Sequence, residues 1–215
     1  YLSMLVIPLI AMTRGPLTAM LSCLPFTTAP LSKGKRIILS VLIVIAALVI
    51  FNSDRIQESM FQSGSGEISD LRLDNPDFKT SGRSLMWDIL WHGVVEKPWF
   101  GNGWNSHRDV LTRLGLLYLP HNDWLKLWHD IGILGTSVFL LTMLLQIFFL
   151  VRIARWSTGP HQMIAYGAAT AFIPFMLIMF TDNVVLYVQF FGNLHFALIG
   201  IVYGAIIRDD GHANA

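Results

Sequence analysis

Apolar residues come in long unbroken runs, separated by short polar joints and by one long polar stretch. The runs are 1–12, 16–32, 37–51, 132–151, 161–181 and 184–207. A helix rises 1.5 Å per residue, so crossing a hydrocarbon layer takes about 20 apolar residues. The last three runs meet that length. Runs 16–32 and 37–51 are shorter, and reading them as spans leans on the topology of the whole. Run 1–12 reads as the tail of a span, because Tyr1 already lies inside apolar sequence. On this reading the sequence is a stretch of a longer membrane protein with further spans upstream. Buried helices of a water-soluble protein are the alternative, but long runs without a charge are rare there. The pattern predicts an all-α, polytopic transmembrane helix bundle.

The joints orient the spans. Lys33, Lys35 and Arg36 fill one, Arg152 and Arg155 another, and Arg208 follows the last run. Six spans bring all three groups to the same side, which the positive-inside rule makes cytoplasmic. The turn at 13–15, the stretch 52–131 and the turn at 181–183 then lie outside. Three regions follow: N-terminal spans over 1–51, a large outer loop over 52–131, and C-terminal spans with a short tail over 132–215. The outer loop holds six of the seven tryptophans, Trp87, Trp91, Trp99, Trp104, Trp124 and Trp128, read mainly as an interfacial belt. Residues 52–82 are rich in Ser, Gly, Asp and Asn and read as loop. Apolar residues at Leu85, Met86, Ile89, Leu90 and Val94 predict a helix over 83–96, capped by Ser81 and stopped by Pro98. A second short helix is expected over 105–117, both lying along the membrane surface.

Composition narrows the classes. Hydrophobic residues make up 53% and charged residues 13% of the 215, about half the charge of an average soluble domain. Disordered, nucleic-acid-binding and coiled-coil classes are excluded. The net charge of +1 says nothing of partners. The single cysteine, Cys23, excludes an intrachain disulfide and a cysteine-built zinc site. There is no HExxH, Walker or complete dinucleotide motif, and no DxD pair for a metal-held nucleotide sugar.

Two cations sit in notable outer positions. Arg14 lies at a turn between two apolar runs, where it either snorkels or binds an anion. Arg83 opens a helix, whose amino terminus is itself partly positive; an anion there meets free N–H groups and a guanidinium together. His121, followed by Asn122 at the mouth of a span, is a candidate general base. His92, His107 and His129 are rivals that spacing does not separate from it. His195 lies mid-span and is expected to hydrogen-bond within the bundle.

The stretch SGRSLMWDILWHGVVEKPWFGNGW, followed by LPHNDWLKLWHDIGILG, resembles the O-antigen ligase and polymerase superfamily of bacterial membrane glycosyltransferases. Its histidine motif is His, then Asn, Ser or Gln, then nine residues and Gly, matched by His121, Asn122 and Gly132. Its loop arginine motif is Arg, three residues, Leu; here Arg83 is followed by Ser, Leu, Met and then Trp87. The segment 98–103 resembles the superfamily's Pro-x-x-Gly-x-Gly turn through Gly101 and Gly103.

The resemblance implies a GT-C-like bundle in the bacterial inner membrane that transfers a glycan from a polyprenyl diphosphate on the periplasmic side. The acceptor would be lipid A core, another lipid-linked glycan or a protein. Arg14 and Arg83 would bind the diphosphate, and His121 would orient or deprotonate the acceptor hydroxyl. Asn122, Gly101, Gly103 and Gly132 would support the site, with no cofactor and no metal. Two other classes were weighed. A transporter or flippase for lipid-linked glycans should carry polar or charged groups along its spans as a pathway, and runs 37–51 and 132–151 hold no charged residue. A structural subunit would leave the order of arginine, glycine turn and His-Asn unexplained.

Overall fold

A computed structural model describes residues 27, 30–72, 74–186 and 192–213. Arg14, run 1–12 and nearly all of run 16–32 lie outside them. Among the described residues the fold is helical: α1 (Lys33–Phe51), α2 (Asp54–Met60), α3 (Arg83–Glu96), α4 (Ser106–Arg113), α5 (Asp123–Trp156), α6 (Gly159–Ile178) and α7 (Gly192–Ala213). By length and composition α1, α5 and α6 can each cross a membrane. The last span differs from expectation at its start: residues 184–186 form a turn, and the described helix is Gly192–Ala213.

Residues 157–158 reverse the chain between α5 and α6. Their interface is built from small side chains. Ala154, Ala165, Ala168 and Ala169 are fully buried, with Leu150 and Phe172 beside them. Small residues let backbones approach, and in lipid such packing replaces the hydrophobic drive that water would give. His195 on α7 packs edge-on against Phe172, ring centroids 4.2 Å apart. Its buried Nε2 has no hydrogen-bond partner among the described residues, so packing replaces the expected bond.

The polar stretch is more ordered than its composition suggests. Residues 52–82, read as loop, contain α2 and a short 3-10 turn, Ile68–Asp70. Phe61, fully buried, meets Phe78 across an isolated antiparallel bridge. Asp77 accepts from the Ser63 N–H at 2.7 Å and its hydroxyl at 2.6 Å. The Ser63 hydroxyl bond, ahead of the amide bond, holds the Asp77 carboxyl below its ordinary value.

α3 occupies the expected residues, with Met86, Leu90 and Val94 buried one turn apart. Its cap is not Ser81: Gly82, at φ 76°, stands there without a side-chain bond, and Ser81 itself is left-handed at φ 54°. α4 is shorter than expected because Gly115 turns left-handed, φ 71°, and ends it. The Leu116 N–H bonds back to Leu111 O and the Gly115 N–H to Thr112 O, a Schellman closure.

α5 is broken at Gly132, whose φ of 68° and ψ of 179° belong to a region open essentially to glycine alone. A break strips helix hydrogen bonds from the groups around it, and buried orphans are costly. The turn 98–103 supplies the missing partners. The Asn102 and Gly103 N–H groups donate to His129 O and Asp130 O, both at 2.9 Å. The Ile133 and Leu134 N–H groups donate to Pro98 O and Trp99 O at 2.8 and 3.3 Å. Contact is so close that a Cβ on Gly132 would collide with Trp99 O, and one on Gly101 would lie 2.5 Å from Asp130 O.

Gly132→Ala is expected to cost about 3 kcal/mol or more, from strain and collision together. Gly167→Ala, where an added Cβ meets nothing within 4 Å, should be nearly neutral; thermal melts in detergent compare the two. The Asp77 tie, from a depressed folded value, is complete above the ordinary value of 3.8 and is lost as pH falls through the folded one. Amide exchange at Ser63 should accelerate over that acid range, and Ser63→Ala, which loses the hydroxyl bond but keeps the amide bond, should move the change to higher pH.

Candidate active site

The turn between α6 and α7 is where the distant parts of the chain meet. His121 Nδ1 lies 3.1 Å from Asp182 Oδ1, and the His121 N–H donates to Asn183 Oδ1 at 3.1 Å. Arg83 Nη1 donates to Thr181 O at 3.4 Å. Two of the three candidate groups therefore converge on residues 181–183, although 38 positions separate them in sequence. The third, Arg14, lies outside the described residues.

His121 has φ 53°, left-handed and uncommon for a residue with a side chain. Three ties hold it there. Trp87 Nε1 donates to Pro120 O at 2.6 Å, linking α3 to the preceding residue. Asn122 caps α5 by accepting from the Leu125 N–H at 3.0 Å. The Asp123 N–H donates to Met179 O at 2.7 Å, while its carboxylate accepts from the Val185 N–H at 2.7 Å. Asp123 is fully buried, so it clamps both flanks of the 181–183 turn to the start of α5. Trp124 Nε1 adds a bond to Met176 O at 2.9 Å. These bonds also satisfy carbonyls that the end of α6 would leave orphaned.

A carboxylate only accepts, so the Asp182 contact assigns the proton to His121 Nδ1 and leaves Nε2 as the basic nitrogen. The His121 and Asp182 side chains are 28% and 38% exposed, reachable from solution yet held by the fold. The rival histidines have other surroundings. His92 is exposed and bonds Asp88 O. His107 and His129 are buried, both with Nδ1 on Asp130, at 2.6 and 2.9 Å. Asp130 also accepts from the Asn105 and His107 N–H groups and the Ser106 hydroxyl, capping α4 from another helix. Among the described residues no three His, Cys, Asp or Glu side chains are placed to ligate one metal ion.

Gly101, Gly103 and Gly132 shape the joint between α3 and α5 and do not line the 181–183 turn. Trp87, Trp124 and Trp128 are internal ties; Trp128 Nε1 donates to Pro98 O at 3.2 Å. Trp91, Trp99 and Trp104 remain exposed, so only these three match the belt expectation. Sequence reasoning missed Asp182 and Asn183 as the partners of His121. Only Trp87 left a signal, standing where the motif has leucine.

Among the described residues the chain is helical with three helices of membrane length, the make-up of an integral membrane protein, and basic and acidic side chains collect at one helix-end turn. Residues 1–140 match the family model described as O-antigen ligase, and the chain belongs to that family. The matched stretch includes Arg14, Arg83, His121 and Gly132, and stops before Asp182. No curated protein matches the chain.

Trp87→Phe keeps the ring and removes the donor to Pro120 O. It should cost about 1 kcal/mol in stability, seen as a lower melting temperature, with a further loss of whatever rate depends on the placement of His121.

Proposed function

We propose that the protein is a glycosyltransferase of the O-antigen ligase and polymerase type. It moves a glycan from a polyprenyl diphosphate to an acceptor hydroxyl on the periplasmic side of the bacterial inner membrane, within a GT-C-like bundle. The observation that carries this reading is the meeting of Arg83 and His121 at residues 181–183. One cation and one base at a single polar turn suit a reaction in which a hydroxyl loses a proton while a diphosphate gains charge.

Arg83, with Arg14, binds the diphosphate. Fixed guanidinium groups stabilise charge that grows as the sugar–oxygen bond breaks, and supply what a metal would. His121 Nε2 takes the proton from the acceptor hydroxyl as that oxygen attacks the anomeric carbon. Asp182 keeps the imidazole in the required tautomer and stabilises the imidazolium. A single displacement inverts the anomeric centre. The acceptor is lipid A core, a second lipid-linked glycan or a protein side chain.

Transfer from a polyprenyl-diphosphate glycan, assayed with full-length protein in membranes, tests this. Arg83→Ala should lose roughly a hundredfold in rate and His121→Ala about 10²–10⁴. Asp182→Asn should lose roughly tenfold in kcat with the donor KM unchanged, and Asp182→Glu should recover part of it. The product should carry the inverted anomeric configuration by NMR, and a chelator should leave the rate unchanged. Full transfer by folded Arg83→Ala and His121→Ala variants would refute the assignment.

A further inference from the structure

Behind the α3 amino terminus lies a second feature that neither Arg83 nor His121 uses. A groove of about 700 Å³ runs between the 62–82 loop and the first turn of α3. Its walls include Gln62, Asp74, Asn75, Phe78, Lys79 and Ser84. That volume is in the range of drug-sized ligand sites, room for roughly two or three sugar rings.

The lining has the chemistry of a polyol site. Asp74, held by the Arg72 guanidinium at 2.8 Å, and Lys79 put one charge of each sign on the wall, so no run of like charge selects a multiply charged ligand. The other groups are amides, hydroxyls and one aromatic ring. Most are already fixed by one bond and retain capacity. Gln62 Nε2 donates to Pro76 O at 3.0 Å, leaving the amide oxygen to accept. Lys79 Nζ spends one of its donors on Glu58 O at 2.7 Å. The Thr80 and Ser84 hydroxyls hold each other at 3.0 Å. Groups oriented in advance cost little to order on binding. Phe78, braced against Phe61, offers apolar surface to the C–H face of a ring.

Position adds the second argument. Gly82 and Ser84 line the groove, while the residue between them, Arg83, sends its guanidinium to Thr181 O. The groove therefore begins at the residues that flank Arg83 in the first turn of α3. We infer that this groove is an oligosaccharide subsite, holding two or three neutral or zwitterionic sugar rings beside the reaction centre. The inference rests on the transferase reading for its place in the reaction, but the binding itself does not depend on it. The glycan can belong to the donor or to the acceptor, since both offer the same hydroxyl-rich surface.

The test uses full-length protein in nanodiscs and two probes: the oligosaccharide released by mild acid from the source cell's polyprenyl-diphosphate glycans, and the core oligosaccharide of its acceptor lipid. Saturation-transfer NMR reads binding without any reaction. Wild type should bind at least one probe. The Gln62→Ala/Lys79→Ala variant should bind it roughly tenfold more weakly, having lost two hydrogen-bonding groups. Both side chains are exposed, and melting temperatures check folding; Asp74→Ala, also exposed, gives an independent arm expected to weaken binding several-fold. In transfer assays the double variant should raise the KM of the matching substrate with kcat nearly unchanged, and a donor carrying a single sugar should be indifferent to it. An effect confined to released donor glycan assigns the groove to the donor, and one confined to core oligosaccharide assigns it to the acceptor. Binding by wild type without transfer would keep the groove and remove the transferase reading. Unchanged binding in both folded variants, or binding of neither probe by wild type, overturns the subsite.

Discussion

The break in α5 at Gly132 governs how the polar half of the chain is arranged. A helix that stops and restarts leaves amide and carbonyl groups that must find partners, and nothing apolar can serve. The 98–103 turn is shaped to serve them, donating through Asn102 and Gly103 and accepting through Pro98 and Trp99. Because that turn directly follows α3, satisfying the break also sets where α3 can lie. The Asn102 side chain reinforces the joint by bonding both Gly93 O, in the last turn of α3, and His129 O. Gly101 and Gly132 are thus explained by close backbone contact and Gly103 by its φ of 106°, and together they shape the joint that places α3.

With its far end fixed, α3 brings its first residue toward the α6–α7 turn. Trp87 then bridges to Pro120, so the helix that carries Arg83 also braces the residue before His121. Asp123 completes the arrangement from below, holding Met179 and Val185 at the same time. The site is an intersection of three chain segments secured by bonds to backbone, with few degrees of freedom left to His121. Such restraint is what a reacting geometry requires.

Spans and site differed in how far sequence could foretell them. Apolar run length carries α5 and α6, because membrane crossing is a requirement on composition, whereas α1 needed the charge pattern of the joints as well. The 83–96 helix was readable from Met86, Leu90 and Val94, which recur every fourth residue. α2 was not, since a polar composition hides the one cluster, Phe61 with Phe78, that organises it. Arg83 and His121 stood out through the motifs around them. Asp182 did not, because a carboxylate 61 residues from its imidazole leaves no local trace. Nor could spacing tell His121 from His107 and His129; Asp130, buried between the latter two, separates those buried imidazoles from the half-buried His121.

Asp130 caps α4 from outside that helix, through the amides of Asn105 and His107. The start of α4 is therefore completed by a residue that leaves the ribosome about 25 positions later. Until then α4 has a left-handed Asn105 at its head and no side-chain cap of its own. In the order of synthesis this cap cannot close before the beginning of α5 has emerged, so the completed start of α4 belongs to the assembled fold and not to the isolated helix.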